Sequence, residues 1–267
     1  MSLTFGHGPF GRQPGGEFNF TRQGPDAVLY WEDFPKRVRA EFNGKTVIDS
    51  RRVKALHETG KFMVFYFRRQ DVDMEQLEPS AHRTDCPHKG TASYWTVRVG
   101  DRVAENAVWS YQDPVASAPF LAGYLAFVFE NMDAWWQEDE RVYAHPRDPY
   151  HRFDVHRSSR HVVVRHGGVV IAESYKPRIL FETGTAARYY LPPEDVRTEL
   201  LNQSETVSQC PYKGDGQHWN LAGEESTVQD AAWTLPDPLG EADVITGFFC
   251  FYPTKVEVEA NGERLVE

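Results

Sequence analysis

Two five-residue strings carry the side chains that chemistry would use. They are Cys86-Pro87-His88-Lys89-Gly90 and Cys210-Pro211-Tyr212-Lys213-Gly214. A cysteine is nucleophilic as its thiolate, and a nearby cation favours that form. Lys89 and Lys213 each stand three residues after a cysteine, so a tight turn would bring ammonium toward sulfur. His82 offers a base near the first string, where the second has Thr206. The lysines can instead hold a phosphate or carboxylate, with Gly90 and Gly214 letting backbone N–H groups approach the anion. A Walker motif has more glycines and a Ser or Thr for the metal. A structural reading stands beside these: the thiols pack as small hydrophobes, Pro-x-x-Gly shapes a turn, and the lysines are solvated. Trp95, Trp109, Trp219 and Trp233 either stack on a ligand ring or fill a core, as large aromatics commonly do.

These strings belong to a duplication. Shifted by 124 residues, the sequence falls on itself. Glu58-Thr59-Gly60 meets Glu182-Thr183-Gly184, Trp95 meets Trp219, Trp109 meets Trp233, and Asp113-Pro114 meets Asp237-Pro238. Between Glu58 and Phe127, 21 of 70 positions are identical without a gap. Chance pairing at ordinary residue usage gives about four. Two copies of about 100 residues each are large enough for separate cores. The expected organisation is an N-terminal extension 1–36, a first domain 37–132, a connector 133–160 and a second domain 161–267.

Each copy reads as mainly β. Val38, Ala40 and Phe42 alternate with Arg39 and Glu41 ahead of Asn43-Gly44, a strong hairpin signal. Val162 to Val164 and Val169 to Ile171 flank His166-Gly167-Gly168 in the same way. Trp95, Val97 and Val99 alternate toward a Gly100-Asp101 turn, and Tyr124 to Phe129 has the length of a buried strand. Short helices are expected at Asp71 to Leu77, at Pro193 to Leu201, and after each Asp-Pro.

The net charge of −10 gives no reason to expect nucleic acid or an anionic membrane as partner. No stretch reaches the roughly 20 apolar residues that span a bilayer, and Met1 to Gly16 has no apolar signal core. Three scattered cysteines make no disulfide framework, and the expected location is the cytoplasm. His145, His151 and His156 stand near acids, but without a zinc spacing. Arg147, Asp148 and Arg152 fit better as ion pairs locking the domains.

The string Thr84-Asp85-Cys86-Pro87-His88-Lys89-Gly90-Thr91-Ala92-Ser93-Tyr94-Trp95, with Trp109-Ser110-Tyr111-x-Asp113-Pro114, resembles a bacterial family called domain of unknown function 427. So does Arg188-Tyr189-Tyr190-x-Pro192-Pro193-Glu194-Asp195-Val196 in the second copy. The resemblance implies a small twisted-sheet fold near the Mss4-like group. The family also carries a nucleotidyltransferase label, although no carboxylate cluster repeats in both copies. The first copy keeps Glu78-Pro79 and Tyr111, where the second has Asn202-Gln203 and Leu235. The candidate site is therefore the Cys86/Lys89 loop with Glu78 as catalytic candidates. Tyr94, Trp95, Trp109 and Tyr111 are ligand-contacting candidates, mirrored by Cys210, Lys213 and Trp233. The expected function is small-molecule binding or catalysis there, with a phosphate- or carboxylate-bearing ligand among the candidates. The alternative is a non-catalytic structural or interaction protein. The sequence assigns no cofactor, no reaction and no oligomeric state.

Overall fold

The computed structural model describes residues 3–21, 24–223 and 227–266. The chain divides into two units, Met1–Tyr150 and His151–Glu267. Among the described residues the first unit has eleven strands. They are β1 (Leu29–Phe34), β2 (Val38–Phe42), β3 (Lys45–Ser50), β4 (Val53–Glu58), β5 (Val64–Arg68), β6 (Leu77–Cys86), β7 (Gly90–Val99), β8 (Arg102–Ser110), β9 (Tyr124–Phe127), β10 (Ala134–Gln137) and β11 (Glu140–Val142). They form a seven-stranded sheet, β1-β4-β5-β9-β8-β7-β6, and a four-stranded sheet, β11-β10-β2-β3.

The Asn43-Gly44 turn joins β2 to β3 with φ of 48° and 73°, the pair of positive angles that matches strand twist in a two-residue hairpin. The alternation along β2 buries Val38, Ala40 and Phe42. These meet Ala55, Phe65, Phe67, Val97 and Phe127 of the larger sheet in one core, and Trp135 closes it from β10. The larger sheet has a second apolar face. Leu56, Tyr66, Ala92, Tyr111, Leu121 and Ala126 cluster there, with Cys86, Tyr94 and Trp109 half-buried against them. A sheet buried on both faces explains why β5 and β9 read as nearly continuous apolar runs.

The second unit repeats the plan. Its larger sheet runs in the order Phe153–Arg157, Arg178–Glu182, Arg188–Leu191, Phe249–Phe251, Val228–Thr234, Gly214–Leu221, Leu201–Cys210. Its smaller sheet runs Val169–Ser174, Val162–His166, Glu257–Ala260, Glu263–Arg264. The edge strands β1 and Phe153–Arg157 lie outside the gap-free sequence match, yet they take matching places. Leu29 pairs with Glu58 as Phe153 pairs with Glu182.

The expected helices are corrected to 3-10 turns. Arg69–Asp71 and Met74–Gln76 stand where one was expected, and Pro193–Asp195 and Thr198–Leu200 where the other was. In each case a strand begins at the following leucine, Leu77 or Leu201, so the chain has no room to wind further. Pro119–Leu121 and Gly240–Ile245 follow the Asp-Pro segments. No helix among the described residues is long and apolar enough to cross a membrane.

Candidate functional site

Three repeated motifs meet at one place in each unit. Cys86 ends β6 and Gly90 begins β7, and the two residues pair across the turn. The Lys89 N–H donates to the Cys86 carbonyl at 3.2 Å, so the intervening residues form a tight turn. Gly90 has φ of 101°, and a Cβ there would lie 3.2 Å from the Asp113 carbonyl oxygen. Gly214, at φ of 91°, would meet the Asp237 carbonyl at 3.0 Å. The Asp-Pro segment is laid across the loop and bonded to it. The Lys89 carbonyl accepts from Val115 at 3.2 Å, and that of Lys213 from Leu239 at 3.0 Å. Glycine is required by both the angle and the space.

The loop aims its lysine inward. Lys89 donates from Nζ to Glu58, the last residue of β4, and both side chains are only 8% exposed. Lys61 reaches the other oxygen of Glu58 at 2.8 Å from a more exposed position. In the second unit, Lys213 lies 2.5 Å from both oxygens of Glu182, and His151 lies 3.0 Å from Oε1. Burial opposes ionisation of Glu58, but the hydrogen bonds from Lys61 and Lys89 outweigh it and hold the carboxyl below its ordinary range. Burial likewise opposes ionisation of Glu182. His151 and Lys213 overcome it and pull the carboxyl down to about 2. The residue after each glutamate secures the edge strand. Thr59 Oγ1 accepts from Val28 N–H at 3.0 Å, and Thr183 Oγ1 from Arg152 N–H at 3.1 Å.

Beside this clamp lies the second apolar face. The Lys89 ammonium is 5.6 Å from the centroid of the Tyr111 ring. Burial first, then the nearby Glu58 carboxylate, pushes the Tyr111 hydroxyl above the ordinary phenol range, so it stays protonated. Tyr66 is fully buried and meets Trp109 edge-on at 6.4 Å between ring centroids, and Tyr190 accepts from Trp233 at 3.2 Å in the matching place. Tyr94 lies opposite Trp109 in the β7–β8 register and shares a hydrogen bond with Thr84 at 2.8 Å.

The sequence-selected residues separate into groups. Cys86, Tyr94, Trp109 and Tyr111 share the second face with the Lys89 clamp. Cys210 and Trp233 do the same in the second unit, near Lys213. Trp95 does not join them. It follows Tyr94 on a strand, points to the opposite face, and is buried in the core between the sheets. Glu78 also stands apart, near the far end of β6, exposed and paired with Arg98 at 2.7 Å. Lys89 is not solvated, because Glu58 holds it.

Glu58 and Glu182 carried no assigned chemistry in the sequence reading. Their signal was the shared 31-residue spacing from glutamate to lysine in both copies. A second missed feature is a cleft of about 480 Å³ at the end of the larger sheet in the first unit. Trp109 lines it together with Phe62, Phe65, Phe127, Phe129 and Trp135. Phe129 stacks on Trp135 at 4.8 Å, and Phe62 on His145 at 4.6 Å. In the second unit a void of only about 10 Å³ is lined by Ala187, Arg188, Tyr189, Phe251 and Pro253, which match Met63, Val64, Phe65, Phe127 and Phe129. There Arg188 replaces Val64, and its guanidinium lies 5.8 Å from the Trp233 ring, while Tyr252 packs on the same ring at 4.3 Å.

A family model described as a domain of unknown function, DUF427, matches residues 30–138 and again residues 154–262. No curated protein matches the chain.

Proposed function

The chain belongs to the DUF427 family, in two tandem copies, and from that premise we propose that it binds a small molecule in the aromatic cleft of the first copy. One observation carries this reading: the two copies share a clamp but not a cleft. A volume of about 480 Å³ falls within the roughly 300–1,000 Å³ usual for ligand sites. In the second copy Arg188 and Tyr252 lie on Trp233, the counterpart of Trp109. The Cys-Pro-x-Lys-Gly loops then act as internal clamps that fix the strands around the cleft. Their lysines are committed to buried glutamates and do not receive the ligand. The protein binds its ligand without covalent chemistry at Cys86. None of its three cysteines forms a disulfide, which fits the reducing cytoplasm where we place it.

Indole tests the reading as a neutral planar probe. Saturation-transfer NMR is expected to show indole bound to the wild type. Val64→Arg, which copies the second unit, is expected to weaken binding at least about tenfold, the loss of roughly 1.4 kcal/mol of contact. Phe62→Ala, at an exposed wall position, is expected to weaken it as well. Undiminished transfer in both variants would overturn the assignment, as would no transfer to the wild type.

A further inference from the structure

The charge pattern around the cleft narrows the ligand class, on the premise that the cleft is the binding site. Seven of its lining residues are aromatic: Phe62, Phe65, Trp109, Phe127, Phe129, Trp135 and His145. Aromatic faces carry negative charge density and attract cations. Among the described lining residues Glu130 is the one carboxylate, it is exposed, and no Lys or Arg stands with it. A phosphate or carboxylate entering this cleft would meet π-faces and a like charge, with no cation to receive it.

The second copy supplies an independent indication. Its equivalent of Trp109, Trp233, is already covered by a planar cation, the guanidinium of Arg188. The first copy has Val64 at that position, too short and apolar to do the same. We infer that the cleft of the first unit takes a planar cationic ligand of the amidinium, guanidinium or protonated-heteroaromatic class. The ring lies against the aromatic wall formed by Trp109 and its neighbours, and Glu130 supplies the countercharge. The expectation of an anionic ligand at the Lys89 loop is replaced by a cation at a neighbouring site, because Glu58 already neutralises the lysine.

Three probes of nearly one shape separate the alternatives: benzamidine, benzamide and benzoate. Calorimetric titration of the full-length protein is expected to rank them in that order. Benzamidine should bind about fivefold or more tighter than benzamide, the scale of a partly solvated cation–π contact. Glu130→Gln is expected to bring benzamidine close to benzamide and leave benzamide itself unchanged. Benzoate binding as tightly as benzamidine would overturn the inference, and so would an unchanged benzamidine affinity in Glu130→Gln. If all three probes bind alike and Val64→Arg abolishes all three, the cleft stands and the charge preference falls. If none binds the wild type, the cleft assignment falls with it.

Discussion

Lys89→Ala is expected to destabilise the first unit by about 3 kcal/mol, at the lower end of the cost of breaking a buried ion pair. The variant removes an ammonium from a site where lysine and glutamate are each only 8% exposed. Glu58 would remain buried against the aromatic face with Lys61 as its remaining cation. Lys61 still faces the carboxylate at 2.8 Å and holds the loss near the lower end, although its 55% exposure screens that attraction. Lys61→Ala alone should cost under about 1 kcal/mol for the same reason. Replacing both buried partners, Glu58→Leu with Lys89→Met, should recover much of the loss, because the only charge then left over is that of the exposed Lys61. Urea unfolding of the three variants beside the wild type measures these differences. A Lys89→Ala change within about 0.5 kcal/mol of wild type, the range of a solvated surface residue, would contradict the clamp.

Acid is expected to weaken the second unit through Glu182. The ordinary carboxyl value is 4.5, and in the folded protein it falls to about 2. A carboxyl held low in the folded state binds fewer protons than in the unfolded chain. Its contribution is therefore fully present above pH 4.5 and is lost as the pH falls toward 2. At about 1.4 kcal/mol per pH unit, that window is worth about 3 kcal/mol. Glu58 works in the same direction in the first unit. Urea midpoints of the wild type should fall steeply between pH 5 and pH 3. They should fall less in the paired variant Glu182→Leu with Lys213→Met, which keeps volume and removes both charges. Equal pH slopes in the two proteins would remove Glu182 as the source.

The duplication, the hairpins and the turn nature of the Cys-Pro-x-Lys-Gly string were legible because they rest on local rules. Asn43-Gly44 names its own backbone angles, and the 124-residue shift needs no structure to be seen. Glu58 was harder to assign. Alternation tells which face of β4 it takes, but not which lysine crosses that face to meet it. Glu58 and the Lys89 turn belong to strands that are not neighbours in the sheet. Tyr94 and Trp95 show a finer limit. Strand parity separates them, but only the β7–β8 register reveals that Trp109 shares the side of Tyr94. The helices were overread because Asp71 and Glu194 suit a helix start, whereas the following strand sets the length. The cleft was invisible because its walls come from residues 62–65, 109, 127–130, 135 and 144–146, which only the fold brings together.

Ligand binding by the first copy alone is tested most directly by crystals grown with indole. Density for the ring is expected in the first unit against Trp109, with none over Trp233, where Arg188 already lies. An empty cleft, with indole instead at the Cys86 loop or equally in both units, would contradict it.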